Sequence, residues 1–114
     1  RFEDRGYAAA KILLQGPDAP TAIIGFNDNI AFGIQSAVQE LVAAGNPRVA
    51  VTGFDNTYVS ALPMVSLTSI EQEKEAIAMK VAEILTTPDG NKQFRGKEIK
   101  LMPRLLARKS TFKI

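Results

Sequence analysis

PTAIIGFNDNIAFG, residues 20–33, is a short apolar run that ends at a glycine and turns through a polar corner into a helical pattern. Thr21 to Gly25 suits a buried strand. Asn27 or Asp28 can cap the helix that follows. That helix runs to about Ala44 and stops at Gly45-Asn46-Pro47, with a core stripe of Ile30, Ile34, Ala37, Val38 and Leu41. A strand feeding a capped helix is the first half of a β–α–β unit, so the flanks decide the fold.

Downstream, Arg48 to Gly53 (RVAVTG) reads as a second buried strand and Ser66 to Ile70 (SLTSI) as a third. Phe54 to Pro63 lies between them as a loop with room for one helical turn. Residues 71–86 read as a long helix with Ile77, Val81, Ile84 and Leu85 inward. Pro88-Asp89-Gly90-Asn91 is a turn-rich break. Lys97 to Met102 and Arg104 to Arg108 are two further strand candidates, separated by Pro103, which a central strand would not carry. Upstream, residues 2–15 form a helix with a stripe of Tyr7, Ala10, Leu13 and Leu14, stopped by Gly16-Pro17. No capping residue precedes it, so the chain is expected to be a fragment. Alternation of helix and strand at the front predicts an α/β fold with parallel strands. Phe32 lies about 200° from Ile30 around its helix and shares the opposite face with Gln35 and Gln39. It is either a lone exposed aromatic or part of a protein contact.

With 114 residues, 46% of them hydrophobic, the chain suffices for one domain with a core and not for two. It has no cysteine and no histidine. Disulfides, Cys/His metal sites and the usual Ser-His or Cys-His nucleophile pairs are therefore excluded. No apolar run is long enough to span a membrane, and the start lacks the features of a signal peptide. Charge is uneven. Acidic residues outnumber basic ones up to Asn91, whereas Lys92, Arg95, Lys97, Lys100, Arg104, Arg108, Lys109 and Lys113 then face Glu98 alone. These cations alternate with Leu, Ile and Met, which fits a solvated edge region better than a nucleic-acid tail.

In open α/β sheets ligands sit beyond the carboxyl ends of the strands. The three apolar strands here end at Phe26-Asn27-Asp28, Phe54-Asp55-Asn56 and Glu71-Gln72. Asn, Asp and Gln offer planar donors and acceptors that suit a hydroxyl-rich ligand, and Phe26 and Phe54 could line a wall. Each has a plainer reading too: a helix cap, a turn, an exposed first helical turn. Recurrence at successive strand ends favours a site. A glycosidase would need two carboxylates across a cleft, and Asp28 sits where a cap is expected. No GxGxxG and no P-loop occur. Neither a catalytic residue nor a cofactor or metal is called for, so the chain is not expected to be an enzyme.

The stretches PTAIIGFNDNIAFG (20–33), VAVTGFDN (49–56), VSLTSIEQ (65–72) and LLARKST (105–111) together resemble the C-terminal part of the effector-binding core of LacI/GalR-family transcription regulators. Periplasmic sugar-binding receptors of transport systems share the first two elements and usually lack the last two, so they are the second reading. The resemblance implies a three-layer parallel-sheet lobe of the periplasmic-binding-protein-like type I fold. It implies that residues 1–72 and 103–114 form the C-terminal lobe, and that residues 73–102 cross over to pack on an N-terminal lobe. A sugar or similar small polar effector would be held between the lobes by Asn27, Asp55, Gln72 and Phe26. A homodimer would form through Phe32, Gln35, Gln39, Tyr58 and Leu62. A cytoplasmic repressor is implied, touching DNA only through an N-terminal helix-turn-helix head for which these residues hold no candidate. The segment between Gly45 and Gly53 is shorter than the family pattern, with GNPR in place of a VPxD-like piece.

Overall fold

The computed structural model describes residues 1–111, apart from the side chains of residues 90 and 91. Lys113 and the last three residues of the 103–114 segment lie outside the described residues. The elements, in chain order, are α1 (Phe2–Leu14), β1 (Ala22–Ile24), α2 (Asp28–Ala43), β2 (Ala50–Thr52), a 3₁₀ turn (Tyr58–Ala61), β3 (Ser69–Glu71), α3 (Lys74–Thr86), α4 (Gly90–Gln93) and β4 (Arg104–Leu106). β1 and β2 are parallel, with Ile23 opposite Val51. A parallel bridge from Thr52 to Thr68 carries the sheet onward to β3. β4 returns antiparallel to β3, with Ile70 opposite Leu105. The mixed α/β architecture with parallel strands at the front is the one the sequence implies.

The core is built from small and branched side chains: Ala10 of α1, Ala31, Ile34, Ala37 and Val38 of α2, Val51 of β2, and Leu67. The alanines permit close packing, and two glycines make α1 and α2 closer still. A Cβ on Gly33 would stand 1.9 Å from the carbonyl oxygen of Glu3, and one on Gly6 would stand 2.1 Å from that of Ile30. The backbones thus touch at the crossing, where no side chain fits. Outside the crossing, Tyr7 Oη donates to Glu40 Oε2 at 2.7 Å. That bond holds the Glu40 carboxyl below its usual range and pushes the Tyr7 phenol above its own.

Several expectations need correction. Residues 97–102 form no strand; Ile99 and Leu101 are exposed, and the alternation there meets no neighbouring strand among the described residues. Ile77, Val81 and Leu85 do not face this chain's core: α3 buries no residue at all. Their stripe is real but nothing described here covers it, and the molecule measures 62 × 28 × 26 Å. The run TAIIG is only half buried, because Ile23 packs on the core while its neighbour Ile24 points to the open face. Leu13 likewise stays exposed. β3 begins three residues later than expected, at Ser69, and α3 begins at Lys74. Part of the break after Pro88 winds into α4. Phe32 is partly buried and packs against the core cluster. Gln35, which the wheel puts on the same face, is engaged as well: its Nε2 donates to Val65 O at 2.6 Å. Among the described residues no helix is long and apolar enough to cross a membrane.

Candidate functional site

The three polar strand ends lie side by side, joined by main-chain hydrogen bonds. Gly25 N donates to Thr52 O at 2.7 Å and Asp28 N to Phe54 O at 2.9 Å, linking the first corner to the second. Gly53 N donates to Thr68 O at 2.9 Å and Asp55 N to Ile70 O at 3.0 Å, linking the second to the third.

Neighbouring residues at the first corner divide the work. Asn27 is the cap of α2: its Oδ1 accepts from Ile30 N at 2.9 Å. Its side-chain amide nitrogen is left over as a donor. Asp28 is fully buried (0% exposed). Its Oδ2 accepts from Thr57 N at 2.7 Å and Thr57 Oγ1 at 3.0 Å. Its Oδ1 accepts from Ser69 Oγ at 2.5 Å. One carboxylate therefore binds the second loop and β3 to the start of α2, which is incompatible with a role as a solvent-facing acid. Gly53 makes room for it, since a Cβ there would lie 2.3 Å from Asp28 Oδ1. Four positions of the stretch NDNIAFG are thereby accounted for: Asn27 caps, Asp28 ties, Ala31 abuts Gly25, and Gly33 admits α1.

At the second corner Asp55 and Asn56 both have positive φ, 101° and 44°. Such conformations cost about 1–3 kcal/mol each for non-glycine residues and persist only where surroundings impose them. Here the surroundings are dense. Asn56 N donates to Ser69 Oγ at 3.0 Å, and Asn56 Nδ2 donates to Glu71 Oε2 at 2.5 Å. Arg108 Nη2 donates to Asn56 Oδ1 at 2.6 Å. The carboxylate of Asp55 meets the third corner: Gln72 Nε2 donates to Asp55 Oδ1 at 2.6 Å. Lys74 Nζ donates to the Asp55 carbonyl oxygen at 2.5 Å. Glu73, also left-handed at φ 49°, pairs with Arg104 Nε at 3.0 Å.

Asp55 and Gln72 are thus in direct contact, Asn27 stands at the adjoining corner, and Phe26 projects into solvent, 85% exposed. Gln72 lies between β3 and α3, not within a helical turn. Of the other residues singled out, Tyr58 is exposed, Leu62 is half-buried and Gln39 is exposed. Glu71, named with Gln72 as the third strand end, joins the site through Asn56. Sequence reasoning missed Lys74 and Arg108 as neighbours of the site, and of these only Arg108 had a signal, since it stands in the quoted LLARKST stretch. The arrangement offers hydrogen-bond donors and acceptors beside the exposed ring of Phe26, and the hydroxyls of Thr57 and Ser69 are spent on the buried Asp28 carboxylate.

The profile of the family described as periplasmic binding protein-like domain matches residues 1–111. The HTH-type transcriptional repressor PurR of Vibrio vulnificus is 30% identical over 111 residues, 97% of this chain and 33% of the repressor. The chain thus spans about a third of the length of the curated relatives it matches. Among solved structures, the Lac repressor bound to ONPG in its repressed state aligns with a TM-score of 0.79 at 25% identity, covering 96% of this chain and 33% of that one. A LacI-family transcriptional regulator from Enterococcus faecium with bound ribose aligns with a TM-score of 0.68 at 28% identity, covering 96% of this chain and 40% of that one.

Proposed function

This chain belongs to the periplasmic binding protein-like domain family, in the form carried by LacI/GalR regulators, and from that premise we propose that it is the effector-sensing and dimerising part of a DNA-binding transcriptional regulator. The observation that carries the reading is the joined row of strand ends, where a strained Asp55 is held beside Gln72 and next to Asn27. Backbone strain of this kind collects at ligand clamps. The effector is a small polar molecule, a sugar or sugar derivative, in line with the ribose seen in the Enterococcus faecium relative. Asp55 accepts from a hydroxyl, Asn27 donates through its amide, and Phe26 supplies a face for the ring. Gln72 orients Asp55.

Residues 1–72 and 103–114 make one lobe of the effector domain, and residues 73–102 pack on the other. The uncovered stripe of α3 supports this division. Effector binding closes the lobes and reorients DNA-reading heads carried elsewhere in a cytoplasmic regulator. Its relatives are repressors rather than enzymes, and the strand-end cluster has the chemistry of recognition.

A thermal-shift screen of the intact regulator against monosaccharides, ribose included, tests the effector class. With a sugar that binds, Asp55→Ala is expected to weaken affinity about 10- to 100-fold, the loss of one charge-assisted hydrogen bond, with the dimer unchanged in sedimentation. Failure of every sugar to bind, or a titration that Asp55→Ala leaves unaltered, rejects this reading.

The dimer face comprises the outer side of α2, with Gln35 and Gln39, and the loop carrying Tyr58 and Leu62. Because Phe32 is engaged with the core, the exposed anchors are Tyr58, 78% exposed, and its neighbour in the loop Met64, 85% exposed. Tyr58→Asp combined with Met64→Asp should raise the dimer dissociation constant at least about tenfold. Sedimentation velocity over a dilution series measures it, and an unaltered dimer defeats the assignment of this face.

A further inference from the structure

We propose that Arg108 is the positioning residue for the Asp55 carboxylate, acting through Asn56. The proposal rests on the reading of Asp55 as an effector contact and adds what holds it in place.

Two consecutive non-glycine residues with positive φ do not keep that conformation unaided. Asn tolerates it better than most residues, but tolerance is not enforcement. Enforcement comes through the Asn56 side chain, which two charge-assisted bonds grip: its Nδ2 donates to Glu71 Oε2 at 2.5 Å, and Arg108 Nη2 donates to its Oδ1 at 2.6 Å. The other group near Asn56 Oδ1 is Ser60 Oγ, at 3.4 Å.

Arg108 is itself anchored. Its Nη1 donates to Leu67 O at 2.6 Å, so two nitrogens of one rigid guanidinium span the buried Leu67 carbonyl and Asn56. Its main-chain N donates to Thr68 Oγ1 at 2.7 Å, and Thr68 is buried. Two residues on, Ser110 Oγ donates to Val51 O at 2.6 Å and Ser110 O accepts from Val51 N at 3.0 Å. The RKST stretch is thus fixed along β2 and the approach to β3, and from there a single side chain reaches the strained corner. Acidic Glu71 takes the opposite end of the Asn56 amide, so Asn56 is held from both sides and cannot rotate. With Asn56 fixed, the preceding residue has its amide on Ile70 O and its carboxylate on Gln72.

The guanidinium geometry makes the claim specific. A lysine ammonium at position 108 can satisfy Leu67 O or Asn56 Oδ1, but it lacks the fork that spans both.

Solution NMR of the intact protein, without any ligand, tests this. Positive φ at residues 55 and 56 gives a strong intraresidue Hα–HN NOE and characteristic Cα shifts. Wild type should show both. Arg108→Met should lose both signatures while amides of α1 and α2 stay in place, and Arg108→Lys should retain them in part. Persistence of both signatures in Arg108→Met overturns the proposal. Should Arg108→Met fail to fold, Asn56→Ala decides, since it leaves Arg108 its bond to Leu67 O. Loss of the left-handed signature at Asp55 supports the proposal and retention overturns it. This readout involves no effector, so it can fail while the Asp55 titration succeeds, and the reverse.

Discussion

Gly33→Ala should destabilise the lobe by about 2 kcal/mol or more, although alanine is the better helix former by about 1 kcal/mol. The added Cβ would enter the backbone of α1, 1.9 Å from Glu3 O and 2.7 Å from Tyr7 N. Neither atom belongs to a side chain that could swing aside, so the helices must separate. Separation opens the Ala10, Ala31 and Ala37 contacts that depend on closeness. Gly16→Ala is the control: a Cβ there has nothing within 4 Å and should change stability little. Denaturant unfolding followed by circular dichroism gives both values. Equal midpoints for the two variants would falsify the idea that the glycine is a packing requirement.

The second large effect belongs to Asp28. Asp28→Ala should cost about 3–5 kcal/mol, because it leaves the Thr57 amide and two hydroxyls without their anionic acceptor in a site closed to water. Asn27→Ala, one residue earlier, should cost only about 1 kcal/mol, the usual loss of a helix cap. The contrast is informative because composition alone allows either residue to be the cap. If both substitutions cost the same, Asp28 does not tie the strand ends together as its contacts indicate. The same denaturation measurement ranks them, and the effector titration separates stability from recognition.

Much of the architecture was legible because it follows local rules. Apolar runs and stripes bounded by Gly, Asn and Pro point to β1, β2 and the three long helices to within a few residues. The errors have one physical origin: period and composition describe which face is apolar, not what meets it. The stripe on α3 is legible as a stripe, but no described residue of this chain buries it. Residues 97–102 alternate like a strand, but a strand exists only where a neighbour accepts its hydrogen bonds. Phe32 sits at an angle that looks exposed on a wheel, yet it is partly buried against the core cluster.

At the site, Asn27, Asp55 and Gln72 could be picked out as polar groups at strand ends, and the structure puts Asp55 and Gln72 in contact. What could not be read was the division between Asn27 and Asp28, or the distant hold of Arg108 on Asn56. Both depend on side chains from segments 29 to 52 residues apart. Spacing within a motif carries no information about such partners.

The thirteen residues of α3, none of them buried, have an evolutionary consequence. A helix of that length gains little from its own hydrogen-bond ladder in water. Its cooperativity with the rest of the fold does not come from the seven-residue cluster around Leu67, and on the two-lobe division proposed above it comes from the surface of the other lobe. Substitutions at Ile77, Val81 or Leu85 should be nearly silent for the lobe and strongly epistatic with the covering surface. On that two-lobe division, the helix is a seam along which one half of such a protein can drift in sequence while the other half, clamped at Asp28 and Arg108, stays fixed.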